Sequence, residues 1–257
     1  MLKRQRSYRT QAIIMKRRDL GEADRLLTLY TPTNGKVDAV AKGVRKPTSK
    51  KTGHVELYTR ADVLIAKGRS LDILTQAEML EAYVPLREDL LRGAYASYVV
   101  ELLDRFTLDD DVAGYQDLFI LLDMTLERLC TDDDVRRVTR YYELQLLNWL
   151  GFRPELQSCV ISQQDLLPED QFFSYHEGGV VSPEAATYTG NLVPLPLLTF
   201  KVLRHLQRSK YAKIAALRIS DVVHLDMERI MLGYIRYILE KQVQSAAFIQ
   251  RIRNMAP

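Results

Sequence analysis

Five cations crowd one short segment of this chain: Lys42, Arg45, Lys46, Lys50 and Lys51. The stretch from Lys42 on, residues 43–53, is rich in Gly, Pro, Ser and Thr, so a mobile, exposed loop is expected. Lys and Arg on such a loop suit a phosphate backbone, which rewards charge more than fixed geometry. Lys16, Arg17, Arg18 and Arg25 add charge nearby in sequence, and Lys67 and Arg69 add more around Gly68. Tyr30 and Tyr58 are candidate stacking platforms for bases, with packing inside the fold as the competing use.

Residues that could do catalysis are sparse. Gly35-Lys36 lacks the upstream glycine of a phosphate loop. There is no HExxH, no GxSxG and no dinucleotide fingerprint. The four histidines, His54, His176, His205 and His224, stand singly. Asp109–Asp111 and Asp132–Asp134 could hold a divalent cation, but consecutive carboxylates in loops more often cap helices, and neither run matches an EF-hand. The expectation is a non-enzymatic chain without a cofactor. Cys130 and Cys159 are too few for a disulfide framework, which fits a reducing, cytoplasmic setting. The basic start, Met1 to Arg6, is followed by no apolar signal core, and no apolar run approaches membrane-spanning length.

The charge is divided along the chain. The total is +3, but residues 1–85 carry 17 Lys/Arg against 9 Asp/Glu, and residues 86–151 carry 7 against 14. A basic module followed by an acidic one points to a polyanionic partner for the first.

The elements that must position these charges change character near residue 84. Val55 to Ile65 alternates, with Val55, Leu57, Thr59, Ala61, Val63 and Ile65 on one face and Glu56, Tyr58, Arg60 and Asp62 on the other. Gly68-Arg69-Ser70 turns the chain, and Leu71, Ile73, Thr75, Ala77 and Met79 repeat the alternation. Ala12–Met15, Leu26–Tyr30 and Val37–Ala41 are further strands, with a turn at Pro32-Thr33-Asn34-Gly35. Five strands fit an OB-type barrel, although an SH3-like barrel fits the pattern almost as well. From Leu86 to Phe106 the apolar period predicts one long amphipathic helix. A second helix falls around Leu118–Leu129. A third follows Asp132–Asp134 and ends at Gly151. Residues 152–196 read as irregular. Helices resume at Leu197–Gln207 and after Ser220-Asp221. The predicted fold is α+β: a five-stranded OB-fold barrel over 1–83, then a mainly helical domain over 84–257 with an insertion at 152–196.

The ordered set of segments resembles the RecO family. Ala12 to Arg25 is similar to its opening strand pair, and Gly35-Lys36 with Ala39 to Lys46 is similar to its third strand and basic loop. Leu71 to Glu78, Leu86 to Leu90, Glu143-Leu144, Leu150-Gly151 and Ser245 to Ile249 continue the match. The resemblance implies a DNA repair and recombination mediator that binds single- and double-stranded DNA and anneals complementary strands without ATP. It implies RecR and the acidic tail of single-stranded-DNA-binding protein as partners, with RecA loaded indirectly, in a cytoplasmic, nucleoid-associated setting. Many members carry two CxxC pairs in the insertion, a thiolate zinc site. Here those stretches read Cys159-Val160-Ile161-Ser162 and Ser182-Pro183-Glu184-Ala185, a degenerate knuckle. No zinc is expected there, and packing around Phe172, Phe173 and Tyr175 must hold the insertion. Arg136, Arg137 and Arg140, clustered on one helix beside Val138 and Tyr141, are the candidate site for an acidic tail, with intrahelical pairing to Asp132–Asp134 as the alternative. A protein-interaction module whose basic barrel binds acidic tails, and a magnesium nuclease using the acidic loops, are the competing functions.

Overall fold

The structure is a computed structural model and describes residues 6–107, 114–188 and 190–255. It divides into two compact units, residues 1–131 with 245–257, and residues 132–244.

The first unit is built on five strands: β1 (Ser7–Leu20), β2 (Asp24–Thr31), β3 (Gly35–Ala41), β4 (Arg60–Ala66) and β5 (Asp72–Glu81). They close in the order β1-β2-β3-β5-β4. The β3–β5 pairing is parallel, through Ala39 with Asp72 and Val40 with Ile73, and every other pairing is antiparallel. This order is the OB arrangement, and it settles the choice against an SH3-like barrel. β1 makes closure possible by serving two neighbours. Its first half pairs with β4, its second half with β2, and Ile13 pairs with both. A register shift between Ile14 and Lys16 bends it there. Alternate residues then point inward: Ala12, Ile14, Leu27, Leu29, Ala39, Ala41, Ala61, Val63, Ile65 and Leu74 form the barrel core.

Three sequence expectations fail locally. Val55–Thr59 is not strand. Residues 52–54 form a 3₁₀ turn and Tyr58 adopts φ 67°. Tyr58 N–H bonds Ile14 O at 2.9 Å and Ile14 N–H bonds Thr59 O at 3.0 Å, so this segment caps the bend of β1. β5 also changes phase. Leu64 pairs with Gln76 but Ile65 pairs with Leu74, so Thr75 is bulged out and Leu74, not Ile73, enters the core. The long helix breaks at Asp89, giving α1 (Pro85–Glu88) and α2 (Leu90–Phe106). Asp89 is extended (ψ 117°), and its carboxylate accepts from the N–H groups of Leu91 and Arg92 at 2.8 and 2.9 Å. An N-cap of this kind contributes about 1 kcal/mol.

α3 (Tyr115–Thr131) completes the cover of the barrel. Gly35 sits in the β2–β3 turn at φ 59°, and a Cβ there would lie 2.5 Å from the Tyr115 ring. Lys36 reaches α2, bonding the carbonyls of Asp104 and Thr107 at 3.1 and 2.9 Å. Asp109–Asp111 lie outside the described residues. The helices α1–α3 group with the barrel in one compact unit.

The second unit holds α4 (Val135–Trp149), a small sheet of β6 (Gln171–Ser174), β7 (Gly179–Val181) and β8 (Leu192–Leu195), then α5 (Leu197–Arg208), α6 (Tyr211–Ile214) and α7 (Asp221–Leu239). The insertion is thus ordered as an antiparallel sheet, β7-β6-β8, where irregular chain was expected. Its centre is Phe173, fully buried, with ring contacts to Tyr175 and Tyr234 at 5.8 and 5.5 Å. Phe172 and Tyr175 are only partly buried. Gly233 of α7 leaves room for Tyr175, whose hydroxyl lies 2.1 Å from where a Cβ would stand. A final helix, α8 (Gln244–Met255), returns to the first unit, where Ser245 bonds Glu101.

Candidate nucleic-acid interface

The basic loop is rooted in the barrel. Val44 is fully buried in the core, which contributes about 1.5–3 kcal/mol of anchoring. Gly43 N–H donates to Asp24 Oδ1 at 2.7 Å, Arg45 N–H to Ala23 O at 2.9 Å, and Thr52 Oγ1 to Val44 O at 2.6 Å. These bonds hold the start of the loop against the β1–β2 turn and tie its end back to Val44, so it is tethered at its root.

The eleven barrel cations fall into two groups. Six are engaged within the unit. Lys16 pairs with Asp104, and Arg17 with Glu56. Arg25 meets Asp19 at 3.2 Å and Glu56 at 3.7 Å. Arg45 meets Asp19 at 3.3 Å. Lys67 bonds Asp72 at 2.8 Å and lies 5.0 Å from the Tyr8 ring centroid. That carboxylate bond holds the Lys67 ammonium above the ordinary lysine range. Lys51 bonds Leu74 O at 3.3 Å, and burial lowers its pKa. The other five, Arg18, Lys42, Lys46, Lys50 and Arg69, are exposed and form no ion pair among the described residues. Arg6, exposed beside the β4–β5 turn through the bond from Lys67 N–H to its carbonyl, joins them. Sequence reasoning passed over Arg6 as part of the N-terminal charge.

An unpaired surface cation can neutralise a phosphate without first breaking a protein contact, so these six are the barrel cations best suited to a phosphate backbone. The stacking role of the two tyrosines is overturned. Tyr30 is fully buried, and Tyr58 is 7% exposed with its hydroxyl 2.7 Å from Ser97 Oγ. The left-handed turn at Tyr58 swings the ring inward, where simple alternation had placed it outward.

The arginine cluster on α4 is likewise reassigned. Arg137 is buried, bonding Asp132 and Leu217 O at 2.6 Å each. Arg140 is buried against Glu143 at 3.0 Å, and Glu143 is itself fully buried. Only Arg136 is partly exposed, and it meets Asp221 at 2.8 Å. The three do not form an open cationic surface, because α7 and the chain before it pack where an acidic tail would have to lie. Asp132 and Asp134, candidate metal ligands in sequence, are occupied as partners. Tyr211 donates to Asp132, and Asp134 caps α4 and meets buried His224 Nε2 at 3.0 Å.

The two stretches that the resemblance set against a zinc knuckle meet at one cysteine. Cys159 Sγ is buried and accepts N–H bonds from Ser162 and Ser182, each at 3.4 Å, so both turns converge on one sulfur. Burial pushes this thiol up, but the hydrogen bonds from Ser162, Ser182 and Ile161 outweigh it and bring its pKa to about 6. One thiol with two serines and an alanine does not fit a zinc ion. Among the described residues no three His, Cys, Asp or Glu side chains are grouped to hold a metal.

A closed OB barrel with cations on its loops, followed by helices and a small sheet, defines an OB-fold protein of two units. Two family models match it: Recombination protein O N terminal over residues 5–83, and Recombination protein O C terminal over residues 87–247. The chain is 39% identical over 98% of its length to a protein of Roseiflexus sp. named DNA repair protein RecO, of which the match covers 88%. It is 33% identical over 95% of its length to the protein of that name from Dehalococcoides mccartyi, with 96% of that protein covered. For the Pelotomaculum thermopropionicum protein of the same name the figures are 36%, 95% and 94%. The chain belongs to the RecO family.

Proposed function

We propose that this protein is a DNA-binding mediator of repair and recombination that acts without catalysis. It binds single- and double-stranded DNA through the barrel, anneals complementary strands without ATP, and helps load a RecA-type recombinase onto strands coated by single-stranded-DNA-binding protein. The observation that carries this is the set of six exposed, unpaired cations on the loops and ends of the barrel. Family membership supports it, since the relatives are named DNA repair proteins. RecR and the acidic tail of single-stranded-DNA-binding protein are the partners the resemblance implies. The setting is the cytoplasm, at the nucleoid. No described helix is long and apolar enough to cross a membrane.

An annealing assay with naked complementary strands, with and without ATP and EDTA, tests the reading. Annealing that proceeds in EDTA without nucleotide is expected. Dependence on ATP, or degradation of the strands with magnesium, overturns it. The alternative, a barrel that binds only acidic protein tails, predicts no oligonucleotide binding at any salt concentration, whereas a DNA binder shows a steep log–log salt slope.

A further inference from the structure

Between Glu184 and Asp221 the chain has no carboxylate, yet it carries six Lys and Arg residues. They are Lys201, Arg204 and Arg208 on α5, Lys210 and Lys213 in and beside α6, and Arg218 after it. The three on α5 are spaced i, i+3 and i+7, which places them along one stripe, with His205 on the same side. Thr199, Phe200, Leu203 and Leu206, on the opposite side, are buried. Five of the six cations are exposed, and none forms an ion pair among the described residues. Arg204 is part-buried and held in place: its guanidinium donates to Gln157 Oε1 at 3.0 Å and lies 5.1 Å from the Phe200 ring centroid. In a chain whose net charge is only +3, a run this one-sided is a local concentration of positive potential.

We infer that this stripe is a second nucleic-acid backbone site, located on the unit that lacks the barrel. The inference rests on the DNA-binding function proposed above and adds a place for a second strand. From Lys201 to Arg208 the helix runs about 10 Å, comparable to about three steps of 3.4 Å per strand along a duplex axis. An acidic peptide with apolar anchors needs a pocket beside the charges. Two cavities of this unit, about 610 and 510 Å³, are lined by Tyr175, His176, Glu177 and Tyr237 and by none of the six cations. Bare cations on a convex helix face suit a uniform row of phosphates. With a site on each unit, one chain can hold two strands at once, which is the physical requirement for annealing them.

The test uses the full chain and two oligothymidines, one carrying a donor dye and one an acceptor. Energy transfer reports two strands held together, and anisotropy reports binding of one. The patch variant replaces Lys201, Arg208, Lys210 and Lys213 with Gln, leaving the structurally engaged Arg204 intact, and a melting curve confirms that it is folded. Single-strand binding to the barrel should persist, while bridging should fall at least tenfold. The salt slope of bridging should drop by up to about 3, since each lost phosphate contact removes about 0.7. If the wild-type chain binds no oligonucleotide, the proposed function fails and this inference fails with it. If the wild type bridges and the patch variant bridges equally well with an unchanged slope, only this inference is overturned. Displacement of the second strand by polyglutamate at charge-equivalent concentrations far below those of oligothymidine also overturns it, in favour of an acidic protein ligand.

Discussion

Arg60 of β4 and Asp123 of α3 are joined by an ion pair of 2.6 Å, and Tyr83 donates its hydroxyl to the same carboxylate, also at 2.6 Å. Burial, together with that bond to Asp123, drives the Tyr83 hydroxyl far above the ordinary tyrosine range, so it stays a donor at any working pH. One carboxylate thus ties the end of the barrel to the helix that covers it. Asp123→Ala should destabilise the first unit by about 1–3 kcal/mol, because both donors lose their acceptor in a partly buried setting. Urea denaturation followed by tyrosine fluorescence measures this, and a midpoint shift near zero would refute the tie.

The same relationship bears on where the chain can be cut. A fragment ending at residue 83 keeps all five strands but loses Asp123, Tyr115 and the carbonyls that Lys36 reaches. It should aggregate or melt without cooperativity, while the intact chain should not. Sedimentation and a thermal scan decide this; a monomeric, cooperatively folding 1–83 fragment would show that the barrel needs no helical cover.

The barrel cations are not equivalent. Replacing Lys42, Lys46 and Lys50 with Ala should lower the salt slope for oligonucleotide binding by about 2–3, at 0.7–0.9 per phosphate. Replacing Arg45 and Lys51 should do less, because Arg45 already faces Asp19 and Lys51 already bonds Leu74 O. Equal losses for the two sets would mean that the intramolecular contacts open when DNA binds.

This distinction was invisible in the sequence, and the reason is general. The strands β2 and β3 were legible because alternation is local, and the turn at Gly35 announced itself by residue type. Pairing partners are not local: Arg17 meets Glu56, and Lys36 meets α2 some seventy residues on. A cluster of cations therefore reads the same whether it is free or neutralised. The arginines of α4 misled for the same reason, since their burial depends on α7. The strands β6, β7 and β8 are three or four residues long, too short for a period of two to register. Tyr58 escaped because a single left-handed residue reverses the phase that alternation assumes.

Arg140 gives a direct test of that reassignment. It faces Glu143, which is fully buried, so Arg140→Ala removes the cation opposite a buried carboxylate. A loss of about 3–5 kcal/mol is expected for the second unit. Arg136→Glu, whose partner Asp221 is largely exposed, should shift the midpoint far less. Comparable, small effects of both substitutions on the urea midpoint would contradict the interior role of Arg140.

Acid should loosen the second unit through Asp132 and Asp134. Burial raises both carboxyls, but their partners win and hold them below the ordinary carboxylate range. Those partners are Tyr211, the Asp134 N–H and Arg137 for the first, and His224 with the N–H and charge of Arg137 for the second. A carboxylate whose folded pKa lies below its unfolded value binds more protons when the chain is unfolded. Its stabilisation is therefore complete above the unfolded pKa, near 3.9, and fades as pH falls through the folded value. The N-cap on α4 fades with it, because a protonated Asp134 is a weaker acceptor for the Arg137 N–H. The urea midpoint should thus decline steeply below about pH 4. An Asp132→Asn, Asp134→Asn double variant should start lower at neutral pH and show a flatter decline, since two titrating groups are gone. Parallel pH profiles for the wild type and the double variant would show that these two carboxyls do not govern the acid limb.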